Sequence, residues 1–246
     1  SISERFLDYL RSDIDTSVEL GLPDNLHRLG DPSPGALAQR VAEARKLIAD
    51  IDVNQGEDFY QVLDLQLMRR YLQQDVWHDT LQINEAPERS QKPAGVDGIS
   101  EGIFQLFVND ERDSESRLSD ILSRLRQAPG YLEEELNVLE RPVRRWRDIE
   151  LEQASELPEL FQSILDWAGD TSFPNCVELE AAIEAVNLGL EDYSAKLAAM
   201  PTVETFAIGR KKMEELLALK QIEKSPEQLR DMAAAYMAET NELIER

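Results

Sequence analysis

The chain has 246 residues, 42% of them apolar and 30% charged, with 49 acidic against 26 basic side chains and a formal charge of −23. That length supports a real core and the composition is too apolar for a disordered chain, while the negative charge repels phosphate backbones and anionic lipid headgroups. Nucleic-acid and membrane-surface binding are set aside as main functions, and the acidic excess reads first as a solvated surface, with calcium or a basic partner as the functional alternative.

Apolar residues recur at three and four places throughout, and alternating stretches long enough for a strand are missing, which predicts an all-α fold of about ten helices in an irregular array, with no sheet. Helix one is predicted from Ile2 to Leu20 through Phe6, Leu7, Leu10, Ile14 and Val18, ending before the turn residues Gly21, Pro23 and Gly30. Ser33 and Pro34 start a second helix that runs through Leu37, Val41 and Ile48 to about Asp50, and a long third spans roughly Glu57 to Ile83. The segment APERSQKPAGVDG holds two prolines and two glycines between Pro87 and Gly98 and reads as an exposed connector. The predicted organisation is a helical region over 1–86, a linker at 87–98 and a second helical region over 99–246, together one compact domain or a fragment of a longer protein.

Beyond the connector come GISEGIFQLFVND and SESRLSDILSRLRQ, then two helices opened by Pro129 and Pro142, the second kinked or divided at Pro158. A further helix follows the TSFPN loop and ends at Pro201, before PTVETFAIGRKKMEELLALKQI and the last helix. In that last helix Ser225, Pro226 and Gln228 make a capping-box start. Leu229, Met232, Ala233, Tyr236, Met237, Leu243 and Ile244 then form an apolar band running almost to Arg246, with no glycine stop. The band predicts exposed apolar side chains along Met232, Tyr236, Met237 and Leu243, or their burial by a neighbouring chain; a frayed terminus is the plain alternative. No fixed period recurs, which argues against a uniform solenoid.

The sequence is poor in chemistry-bearing motifs. Cys176 is the lone cysteine, in the loop-like FPNCVE with no cationic neighbour, so neither an internal disulfide nor an activated thiolate is expected. Nowhere do 18 apolar residues run together. The first residue is Ser1, and a signal peptide or lipoprotein leader is expected to have been removed or left out. The two histidines fall in Asp-x-x-His pairs, Asp24 with His27 and Asp75 with His78, a spacing that on one helix face could share a metal in a carboxylate-bridged site. The first pair lies in a turn-rich loop, and His78 is placed on an apolar helix face where a hydrogen-bonded core histidine is the usual outcome. No His-Glu-x-x-His, phosphate loop, dinucleotide fingerprint or nucleophile elbow occurs. The trio Glu133, Glu134 and Glu135 is read as a solvated face. Arg144, Arg145 and Arg147 crowd a helix start where the dipole disfavours cations, so they either pair with acids such as Glu133 to Glu135 and Glu140 or bind an anionic group such as a peptide carboxylate. No catalytic, cofactor-binding or metal residue is assigned.

The order of the segments carries a resemblance. ELGLPDNLHRLGDPSPGALAQRVAEARKLIADID, YQVLDLQLMRRYLQQ, APGYLEEELNVLERPVRRWRDIELEQ and TFAIGRKKMEELLALKQIEKSPEQLRDMAAAYMAE together resemble the N-terminal half of the bacterial family catalogued as domain of unknown function eight-eight-five. Its members are described as zincin-type zinc peptidases and often as lipoproteins or secreted proteins. The resemblance implies that helices like these form one wall of a deep cleft, and that zinc and the His-Glu-x-x-His helix belong to a C-terminal half outside this sequence. It also implies a peptide substrate for a full-length relative and an extracytoplasmic location, although the residues alone leave a cytoplasmic one open. Three readings follow: a non-catalytic helical part of such a peptidase; a helical scaffold that dimerises or holds a partner helix through its terminal face; and a metal-dependent oxidase built on the Asp-x-x-His pairs.

Overall fold

The computed structural model describes residues 1–22, 24–108 and 110–244, the side chain of Asp15 excepted; Pro23 and Arg246, which enter the sequence reading, lie outside them. Among the described residues there are ten helices and one two-stranded pairing, so the fold is essentially all-α, as the periodicity predicts.

The predicted first helix is two. α1 (Ile2–Ser12) starts on a capping box between Ser1 and Glu4, and α2 (Ile14–Glu19) restarts on Asp13, which sits in extended backbone and accepts from the Thr16 amide at 3.1 Å. Asp13 breaks the helix because its side chain satisfies the new first turn better than a continued helix would. α3 (Pro34–Asp52) begins on the predicted Ser33 cap, and α4 (Phe59–Asp79) on Asp58. α4 stops short of the predicted Ile83 because β1 (Gln82–Ile83) pairs with β2 (Ala86–Pro87) across Asn84 and Glu85, both at positive φ (53° and 65°). That two-residue turn is of the kind whose twist matches a hairpin, and the pairing departs from the predicted absence of sheet.

The proline-rich 87–98 segment is not an exposed connector. Ser90, Gln91, Pro93, Gly95 and Val96 are buried, and α5 (Gly95–Val108) begins inside it. Packing is tolerable because the backbone polar groups find partners: the amides of Glu140 and Val143 donate to the carbonyls of Ser90 and Gln91, each at 2.9 Å. α6 (Ser114–Val138) runs unbroken through Pro129, and α7 (Arg144–Asp170) through Pro158, where the sequence predicts a new helix and a kink or division. An internal proline costs a helix roughly 3 kcal/mol; here it is flanked by the buried Leu125, Ala128 and Leu132 in one helix and Ala154, Leu157 and Phe161 in the other, whose burial offsets it.

α8 (Cys176–Ala199) packs against α6 and α7, and these three with α5 hold the larger core around Phe161, Ile121, Leu125 and Val186. A smaller core joins α1, α3 and α4 through Tyr9, Ala44, Leu47, Ile51 and Leu72. An extended strap over 201–209, bridged to α7's entry at Val143 and Val203, leads to α9 (Arg210–Leu219) and α10 (Pro226–Ile244). α10 rests on α9, helped by Arg210, which pairs with Glu227 and holds that carboxylate down to about 2. None of its residues is buried: Tyr236 is 71% exposed and Met237 64%, as the apolar band predicts. The predicted cap is present, with the Gln228 amide donating to Ser225 Oγ at 3.2 Å and the Ser225 amide to Gln228 Oε1 at 2.8 Å. Ser225→Ala should weaken α10 by about 1 kcal/mol, seen as faster amide exchange in its first turn with the thermal midpoint of the core unchanged.

Candidate functional site

Between the face of α1 and α3 and the face of α5 and α6 lies a groove of about 970 Å³, a volume within the range of small-molecule and peptide sites. Its first wall is organised by Arg40 of α3. The guanidinium donates to Asp75 Oδ2 at 2.9 Å and to the Tyr9 hydroxyl at 3.2 Å, pairs with Asp13, and lies 3.5 Å from Asp79 Oδ2. One cation thus ties α1, the α1–α2 break, α3 and α4 together. Burial pushes the Asp79 carboxyl up, against the pull of Arg40, and pushes the Tyr9 hydroxyl up beyond its ordinary range.

The second wall is set by two buried carboxyl groups near the start of α5. Glu150 of α7, 2% exposed, accepts from the Val96 amide and from the Tyr193 hydroxyl of α8, each at 2.8 Å. It serves as the cap that α5's own sequence lacks, placed where a helix N-terminus favours negative charge. Burial nonetheless pushes this carboxyl up, and the nearby Asp97 and Glu135 add to the rise. Glu135 of α6 is wholly buried; its Oε1 takes Arg89 and the Tyr131 hydroxyl, at 3.3 Å for the latter, while Oε2 has no hydrogen-bond partner among the described residues. Its carboxyl is also pushed up by burial, against Arg89, Tyr131 and the Ala94 amide. Glycine at 95 and 98 is required for this arrangement: a Cβ on Gly95 would meet the Tyr193 ring at 2.8 Å, and one on Gly98 would overlap the Tyr131 hydroxyl.

The residues singled out in the sequence fall elsewhere or behave differently. His27 and His78 are both exposed, His78 edge-on to Trp77 at 5.0 Å, so the expected core histidine is not found. The Asp-x-x-His pairs do not act as units, since Asp24 lies 3.1 Å from Arg11 Nε and Asp75 turns to Arg40 and Tyr9. Among the described residues no group of three or more His, Cys, Asp and Glu side chains is disposed to hold a metal ion. Cys176 is the first residue of α8, half-buried against the larger core. Arg144 pairs with Glu204 and Arg147 with Asp148, rather than with the acids of 133–135 or Glu140. Glu133 and Glu134 are solvated as expected, but Glu135 is not. The signal was present: 118, 121, 125, 128, 132 and 135 follow a three-four spacing, as do 150, 154, 157, 161, 164 and 168, so both buried glutamates occupy stripe positions of otherwise apolar helix faces.

These features define an all-α protein with a charged groove between two packed helical groups. The sequence profile of the family described as "Bacterial protein of unknown function" (DUF885) matches residues 15–245, and the chain belongs to that family. Among solved structures it is similar to a candidate lipoprotein of unknown function from Shewanella oneidensis, with a TM-score of 0.79 at 15% identity over 96% of this chain and 45% of that one. The chain therefore spans less than half the length of that structure. Comparison with curated proteins gave no match. No helix among the described residues is long and apolar enough to cross a membrane.

Proposed function

We propose that this chain is the cleft-wall part of a longer DUF885 protein: it shapes and contacts the ligand, and any peptidase chemistry is carried by residues outside it. One observation carries the reading. The same architecture recurs, at a TM-score of 0.79, inside a chain more than twice as long, and the exposed apolar faces of α10 (Met232, Tyr236, Met237) and α4 (Phe59, Leu63, Leu67) offer the surface on which further polypeptide packs. Zinc, implied by the family resemblance, has no fitting ligand set among the described residues, and no residue here is assigned to it. The similarity to a candidate lipoprotein supports an extracytoplasmic setting.

The alternative is a scaffold that dimerises through α10, favoured by the same exposed band. Sedimentation separates the two. The cleft-wall reading expects a 28.0 kDa monomer that hydrolyses no peptide alone, and a reading frame that continues into a His-Glu-x-x-His segment. A stable dimer that Tyr236→Glu disrupts would replace it with the scaffold.

A further inference from the structure

A second concavity, a pocket of about 730 Å³ between α4 and α9, shares no residue with the groove. α4 lines it with Gln66, Arg69, Arg70, Gln73 and Trp77, whose three-four spacing puts them on one helix face. These side chains are rich in hydrogen-bond donors, and the chain leaves most of them unused. Arg69 gives its Nε to Asp52 at 2.6 Å. The side chains of Gln66, Arg70 and Gln73 make no hydrogen bond or ion pair among the described residues, and the Trp77 ring stands edge-on to His78 without donating its N–H. Arg70 is half-buried in a chain with 49 acidic side chains, where Arg5, Arg40 and Arg89 all face carboxylates. A partly desolvated cation without a partner is costly.

A second observation comes from the facing side of the pocket. Gln221 follows α9 at φ 55°, the left-handed position that closes a helix and that glycine occupies most readily. The turn needs no side chain there, since it is closed by the Gln221 and Ile222 amides, which donate to the Ala218 and Leu217 carbonyls at 3.0 and 2.9 Å. The Gln221 side chain is bonded to nothing among the described residues and lines the pocket instead.

We propose that this pocket binds a small monocarboxylate with an apolar body. A planar guanidinium fork matches a carboxylate, so Arg70 and the Nη groups of Arg69 take the charged end, and the glutamine amides orient it. Trp77, Ala218 and Leu219 offer the body an apolar surface. The charge of the lining selects the class. Two guanidiniums stand against the single carboxylate of Glu215, and the last turn of α9 is the negative end of that helix. One negative charge is met there, whereas a doubly charged phosphate is not. The proposal is independent of the cleft-wall reading.

The probe is phenylbutyrate, followed by the indole N–H resonances of Trp77, Trp146 and Trp167 in isotope-labelled protein at neutral pH, with phenylbutyramide and inorganic phosphate for comparison. The acid should move the Trp77 resonance and leave the other two in place, and the amide should bind at least about tenfold more weakly. Arg70→Gln should weaken binding about tenfold, and Arg145→Gln, the same charge change at an exposed residue of α7, less than about twofold. If Arg70→Gln fails to fold by circular dichroism, Arg70→Lys replaces it, with about threefold expected. Gln221→Gly should weaken binding about threefold although glycine suits the turn. A stationary Trp77 resonance, equal binding of acid and amide, tighter binding of phosphate, or equal weakening by the two arginine variants overturns the proposal.

Discussion

Arg40→Ala should cost the fold about 2 to 3 kcal/mol in urea unfolding, because it strands three carboxylates that are only about one-fifth exposed. Breaking a fully buried pair costs roughly 3 to 5 kcal/mol; the residual exposure places this hub at or below the lower end. Arg40→Lys should recover only part of the loss. Nε, Nη1 and Nη2 each face a different acceptor, on three separate elements, and a single ammonium cannot reach all of them. The damage should be local to the smaller core: amide exchange should accelerate in α1 and α4 before α6 and α8. A loss below about 0.5 kcal/mol would mean that water screens the network as it does surface ion pairs.

Glu150→Ala should be as severe, about 3 kcal/mol, since it leaves the Val96 amide and the Tyr193 hydroxyl without their shared acceptor inside the protein. Glu150→Gln keeps an acceptor oxygen and removes the charge, so its effect depends on pH. The folded carboxyl is raised above the ordinary 4.5, chiefly by burial. Its contribution to stability is therefore fully present below pH 4.5 and is lost as pH rises through the raised folded value. Glu135 acts in the same direction, and Glu227 in the opposite one, its carboxylate being held down by Arg210. Unfolding free energy measured from pH 4.5 to 8 should fall less steeply with rising pH in Glu150→Gln than in the wild type. An unchanged slope would show that Glu150 is ionised at no cost in the folded protein.

Helix identity was legible in the sequence, since periodicity and the Ser33 and Ser225 caps are local signals. What local signals could not supply was tertiary override. Pro129 and Pro158 sit inside helices because buried neighbours on both sides hold the turn together, and the proline-rich stretch before α5 is buried because partners 45 or more residues away satisfy it. The site is hidden from local signals for a related reason. Glu135 adjoins the solvated Glu133 and Glu134 in sequence, but its place in the 118-to-135 stripe sets it inward. Asp75 stands three residues before His78 along the chain, while its partner Arg40 lies on another helix. The exposed band of α10 is a property of one helix alone, and so it shows in the sequence.

The glycines of α5 make its helix dependent on its neighbours. Three of its 14 residues are glycine, each costing an isolated helix roughly 1 kcal/mol relative to alanine, in a segment whose length is marginal for a free helix. Burial of Val96, Ile99, Ile103 and Leu106 offsets that cost, and Tyr131 of α6 and Tyr193 of α8 fill the notches that Gly98 and Gly95 leave. This wall of the groove is therefore rigid through tertiary packing and not through helix propensity.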